Sequence, residues 1–119
     1  MSTVCDAVDL RRDFRACWDA LDRIYWQWVG RGMPRKQFNL IRGYLEELVH
    51  RDPVFFPALA YRALWEIDDW LVKTRMSQDK SDLVPALESL RDQLAQAWKA
   101  LRAERAAYWT QRRQSQESN

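Results

Sequence analysis

The sequence predicts an all-α protein, a four-helix antiparallel up-down bundle with a long, projecting C-terminal helix. Three observations carry that expectation. Apolar residues recur at spacings of 3 and 4 through most of the chain, the period at which side chains return to one side of an α-helix. Apart from Gly43, the glycines and prolines stand between or at the start of these periodic stretches, where helices end and begin. The stretches between them are short, and short links make neighbouring helices antiparallel.

The most apolar window, Val54 to Val72, reads VFFPALAYRALWEIDDWLV and is expected to form the central helix. Phe56, Ala60, Ala63, Leu64, Ile67 and Leu71 fall on one side of it at 100° per residue. A second apolar stripe, Tyr61, Trp65 and Val72, runs down a different side. This helix is therefore expected to be covered on two faces, by sister helices or by a partner.

The remaining helices follow in order. Thr3-Val-Cys-Asp6 has capping-box spacing with Asp in place of Glu, which starts the first helix and runs it to Val29. Its seam, Leu10, Phe14, Cys17, Leu21, Ile24 and Trp28, is widened by Trp18 and Tyr25 into a bundle-core stripe. Gly30 and Gly32 end it. The second helix spans about Pro34 to Arg51, with Phe38, Ile41, Tyr44, Leu45, Leu48 and Val49 on one side, and Asp52-Pro53 stops it. Gly43 faces away from that stripe, as a tolerated weakness or as room for a close neighbour. The third helix, with Pro57 in its first turn, ends near Met76. A polar link, SQDKS from Ser77 to Ser81, leads to Asp82 as the cap of a fourth helix with Pro85 in its first turn. That helix carries Leu83, Leu87, Leu90, Leu94, Ala97, Leu101 and Tyr108 and runs to about Gln114. At 1.5 Å per residue it reaches roughly 45 Å, longer than the second and third helices can cover. One domain, residues 1–114, is expected, with residues 115–119 as a polar, frayed tail.

Composition narrows the function classes. The chain has 119 residues, 47% hydrophobic and 30% charged, with a formal net charge of +2, which fits an ordinary folded domain. Acid and base nearly balance, so nucleic-acid binding would need local segregation of charge. No apolar run is long enough to span a membrane. The acidic start, MSTVCDAVDLRRDF, lacks the apolar core of a secretory signal, and the expected location is the cytoplasm. Cys5 and Cys17, on one helix about 18 Å apart along its axis, are beyond disulfide reach and read as reduced thiols. Positive charge is carried overwhelmingly by Arg, a bias expected of a GC-rich bacterial genome.

Three groups of residues are candidates for function. At one end of the bundle, Arg31, Arg35, Lys36, Lys73 and Arg75, with Lys80, gather positive charge around the start of the second helix. There the macrodipole disfavours cations by about 0.3 to 1 kcal/mol, a mismatch that a phosphate or carboxylate would relieve. The bland alternative is that Arg31 and Arg75 complement helix C-termini while Asp79 and Asp82 neutralise the rest. Second, seven Trp in so short a chain are several times the usual share; Trp18, Trp28, Trp70 and Trp98 fall on or beside the seams, and the bland alternative for the others is a Trp-rich core closed by long side chains. Trp26, Tyr61, Trp65 and Trp109 are hard to bury, and Trp and Tyr dominate protein-binding hot spots. Third, the end of the fourth helix carries Arg102, Arg105, Tyr108, Trp109, Arg112 and Arg113 against Glu104 alone, although Arg near a helix C-terminus is favourable by itself.

Catalysis and cofactors find little support. Glu66, Asp68 and Asp69 point in different directions on a helix and have no nearby His. Glu47-Leu-Val-His50 has a metal-binding spacing, but His50 is the only His and a ferritin-like site needs a second such pair. No phosphate loop, nucleophile elbow or Cys/His pairing is present. The expected function is thus a small cytoplasmic helical module, an adaptor, accessory subunit or inhibitor without catalysis, cofactor or metal, that binds another protein through exposed Trp, Tyr and Arg, with self-association through the third helix and the end of the fourth as one form of that binding. Nucleic-acid binding through the basic end is the alternative.

Overall fold

A computed structural model of the chain describes residues 3–117, with side chains from Leu10 to Gln116. Helix α1 spans Thr3–Gln27, α2 Arg35–His50, α3 Pro57–Arg75 and α4 Val84–Glu117. A single 3-10 turn, Pro53–Phe55, precedes α3, and a 3-10 segment, Gln78–Leu83, precedes α4. Each helix packs chiefly on its neighbours in the chain, and α1 closes the ring against α4. Short connections between consecutive helices make this the expected up-down bundle. The molecule is elongated, 62 × 23 × 21 Å, and no strand occurs among the described residues.

The core is built from the predicted seams. Leu10, Phe14, Cys17, Leu21, Ile24 and Trp28 of α1 are all buried, as are Leu87, Leu90, Leu94, Ala97 and Leu101 of α4. Spacings of 3 and 4 keep each set on one side of its helix, so the antiparallel helices meet along their whole buried length. Burying a leucine or phenylalanine contributes about 1.5 to 3 kcal/mol, and the summed seams outweigh the many residues of modest helix propensity. Burial pushes the Cys17 thiol up to about 12, with Asp13 adding to the effect, which makes it an unreactive core residue.

At the end where α1 finishes and α3 finishes, aromatics fill the interior. Trp28 and Trp70 lie 5.2 Å apart between ring centroids, Phe38 packs edge-on to Trp70 at 6.4 Å, and Tyr25 lies 5.5 Å from Phe38. The buried indole N–H groups of Trp18, Trp28 and Trp70 have no hydrogen-bond partner, a cost of order 1 to 3 kcal/mol each. Cations over two of these rings offset part of it. Arg15 and Arg42 lie over Trp18 at 5.6 and 5.5 Å, and Lys80 lies over Trp28 at 5.8 Å.

The helix ends depart from expectation in detail. Helix α1 stops at Gln27, because the Trp28 amide divides its hydrogen bond between Ile24 and Tyr25 carbonyls and Gly30 and Gly32 follow with φ of +72°. The expected capping box at Thr3 to Asp6 lies outside the described side chains. Helix α3 does not begin directly after Asp52-Pro53. Asp52 instead caps the 3-10 turn by accepting from the Val54 amide at 3.2 Å, and Pro57 then opens the α-helix. Asp82 is drawn to Arg31, and α4 grows out of the preceding 3-10 segment. Helix α4 continues to Glu117, past the expected end near Gln114, so Ser115 to Glu117 of the expected frayed tail are helical; residues 118 and 119 lie outside the described residues. Gly43 has nothing within 4 Å of where a Cβ would stand, so it makes room for no neighbour.

Replacing Leu94 by Ala is expected to cost about 2 to 5 kcal/mol in urea unfolding. Gly43→Ala should stabilise by about 0.5 to 1 kcal/mol, because it removes backbone freedom without a clash. Loss of stability in Gly43→Ala would contradict the open surroundings seen at that position.

Candidate interaction surface

Helix α3 carries more apolar surface than the bundle can bury. Ala60, Ala63, Ile67, Trp70 and Leu71 face the core, while Tyr61, Trp65 and Val72 lie on the outer side with exposures of 55%, 59% and 52%. The expectation that sister helices might cover this second stripe is not met, since α2 and α4 pack on the flanks of α3 and leave its outer side bare. Met76, the residue that caps α3, extends the stripe by one further turn and is 79% exposed. Met76 was not among the sequence candidates, although extending the same helical period by four residues finds it.

A fixed frame of polar contacts surrounds the stripe. Asp68 accepts from Arg91 Nε on α4 at 2.9 Å. Asp69 turns the other way, accepting from Gln37 Nε2 on α2 at 2.8 Å and pairing with Lys73 at 2.9 Å. The Gln37 amide also donates to Glu66 at 2.9 Å, and these contacts hold the Asp69 carboxyl below the usual range, Gln37 acting more strongly than Lys73. Near the end of α3, Arg75 pairs with Glu88 at 2.7 Å. Shallow grooves border the stripe on both sides. Tyr44, Tyr61, Arg62, Trp65 and Glu66 line one, and Asp68, Val72, Arg75, Glu88 and Arg91 lie in the other. Tyr61 also packs against Trp98 on α4 at 6.1 Å, and Arg102 lies over that ring at 5.7 Å. Large aromatic side chains held by a rigid helix are the anchors that protein interfaces use.

The basic end is largely tied up in internal pairs. Arg31 reaches across from the α1–α2 connection to Asp82, with 3.0 and 3.2 Å contacts, and donates to the Asp79 carbonyl at 2.9 Å. This clasp joins the two connections at that end. It holds the Asp82 carboxyl below its ordinary range through the hydrogen bond from Arg31. Lys73 and Arg75 are engaged by Asp69 and Glu88, and Lys80 lies over Trp28. Arg35 and Lys36 remain exposed in the first turn of α2, which has neither a side-chain cap nor an acidic residue.

The other candidates stand apart from α3. Trp26 is exposed on the outer side of α1, edge-on to Tyr25 at 5.2 Å. On α4, Arg105 donates to the Val54 carbonyl at 2.6 Å and Tyr108 packs edge-on to Phe55 at 5.4 Å, so the 3-10 turn covers this part of the helix. Trp109 lies beneath Arg105 and Arg112 at 5.7 and 6.0 Å. Arg112 also donates to the Tyr108 hydroxyl at 3.3 Å, while Arg113 points to solvent.

No group of three His, Cys, Asp or Glu side chains that could hold a metal ion occurs among the described residues. No helix there is long and apolar enough to cross a membrane. No protein-family model matches the chain, and neither curated proteins nor solved structures gave a significant match.

The clasp makes a pH prediction. Because the folded Asp82 carboxyl titrates below its unfolded value near 3.9, its stabilising effect is complete above that pH and is lost as pH falls through the folded value. Arg31→Ala should therefore melt slightly lower than the parent at pH 7, and the gap should close in strongly acidic buffer. A gap that persists there would mean that Arg31 acts through packing.

Proposed function

We propose that this protein is a helical protein-interaction module whose docking surface is the outer side of α3. The observation that carries this reading is the exposed line of Tyr61, Trp65, Val72 and Met76 on a helix whose opposite side is fully committed to the core. Leaving large apolar side chains in water forgoes a gain of roughly 25 cal/mol per Å2 that a docked partner would recover. The polar contacts on either side support it. Gln37, Arg91 and Glu88 hold the flanking charges in place, so little side-chain ordering is left for binding to bring about.

Nucleic-acid binding is the weaker reading. Arg31, Lys73 and Arg75 are each spent on a carboxylate of the same chain, which leaves Arg35 and Lys36 as the open cations of the original five. Arg105, Arg112 and Arg113 lie on the far part of α4, where Arg105 is held by the Val54 carbonyl. A basic track continuous enough to release many counterions is not assembled from these groups.

The test compares the tagged parent with Trp65→Ala in nuclease-treated host lysate. The parent is expected to retain a stoichiometric protein, either a different chain or an untagged copy, and the variant to lose it. Since Trp65 is mostly exposed, the variant should keep its helicity and its stability to within about 0.5 kcal/mol. Retention that is indifferent to Trp65, or that disappears on nuclease treatment, would sink the proposal.

A further inference from the structure

The residues along the outer side of α3 are arranged symmetrically about the Asp68–Asp69 bond. Trp65 and Val72 lie three residues outside that pair, Arg62 and Arg75 six, and Tyr61 and Met76 seven. An antiparallel helix placed on a two-fold axis at this bond brings each residue to the same height as its counterpart in the other copy. Trp65 then meets the smaller Val72 of the second copy, and planar Tyr61 meets flexible Met76. A large rigid ring is set against a smaller or more adaptable side chain at each level, which two tryptophans facing each other would not allow.

The charges fit the same operation. Asp68 and Asp69 sit at the centre, where two copies approach most closely, yet neither obstructs the stripe. Asp68 is turned onto the α4 flank by Arg91 and Asp69 onto the α2 flank by Gln37 and Lys73. Arg75 is likewise matched by Glu88. Apart from Arg62, the rim charges are matched within their own chain, which suits an identical rim better than a strongly acidic or basic partner. Antiparallel placement also sets the two helix dipoles in opposition, which a parallel pair would not.

With aromatic side chains presenting about 150 to 250 Å2 each, the exposed parts of the four stripe residues alone offer roughly 500 Å2 per copy and about 1,000 Å2 in a pair, the size that an interface has to clear before its flanking residues are counted.

We infer that the outer side of α3 is a homodimer interface, in which two copies pack antiparallel about a two-fold axis through Asp68 and Asp69. This rests on the reading of that side as a protein-docking surface and names its occupant. The chain in solution is expected to show twice its 14.3 kDa mass over a concentration series by light scattering or sedimentation equilibrium. Trp65→Ala, with unchanged helicity, is expected to raise the dimer dissociation constant at least about tenfold.

Cross-linking reads the geometry independently. In a Cys5→Ser background, Cys17 is buried and inert, so introduced thiols report alone. Chains carrying Tyr61→Cys and chains carrying Met76→Cys should form a mixed disulfide when combined, and neither should do so alone, because residue 61 and its image lie about 22 Å apart along the axis. A monomer at every concentration overturns the dimer, while docking of a different protein is still judged by the lysate comparison of Trp65→Ala. A dimer indifferent to Trp65→Ala, or Tyr61→Cys chains that cross-link to themselves, equally overturns it.

Discussion

Four helices arranged in a ring can each bury one stripe, and the rest of this structure follows from that limit. Helices α1, α2 and α4 come close to it: each buries one continuous apolar side, and Trp26, Leu40 and Trp109 stand singly on their otherwise polar remainders. Helix α3 does not. Its inner side supplies Ala60, Ala63 and Ile67, small or slender residues that let the neighbours approach, and its large aromatic residues are divided between Trp70 inside and Trp65 outside. A fifth element of the same chain would be needed to cover Trp65, and α4, the longest helix, is spent on α1, α3 and the 3-10 turn.

The same limit explains how the charged residues are used. On the α4 side of α3, Asp68 pairs with Arg91 and Arg75 with Glu88, while Asp69 and Lys73 pair within α3 itself. Exposed pairs of this kind contribute little to stability. Their effect is on geometry: they pull carboxylates away from the apolar line and give it defined edges. The Arg31 clasp does comparable work at the end of the bundle, where it fixes the α1–α2 connection to the segment before α4. Part of the positive charge that looks available in the sequence, that of Arg31, Lys73 and Arg75, is thereby consumed inside the fold.

The far part of α4 shows what happens where the ring no longer closes. Leu101 is the last fully buried residue of its seam, and at the next places the helix turns Arg105 and Tyr108 toward the 3-10 turn at Pro53–Phe55. A polar contact to a backbone carbonyl and one aromatic edge take over from leucine packing. From Trp109 to Gln116 every side chain is exposed, and arginines resting on Trp109 shield part of its ring.

Local periodicity by itself determined the helices, their seams and the presence of two apolar stripes on α3, because backbone period and side-chain size are properties of neighbouring residues. It also located both left-handed glycines, Gly30 and Gly32, where a helix had to end. Tertiary structure alone decided whether the second α3 stripe was covered, since only the packing of α2 and α4 on its flanks leaves Trp65 outside. It alone decided the fate of Arg31 and Arg75 as well. Their partners, Asp82 and Glu88, lie 51 and 13 residues away, and Gln37 meets Glu66 and Asp69 across 29 and 32. No pattern within one helix carries such pairings, because they exist only once separate helices have been brought side by side at a fixed height.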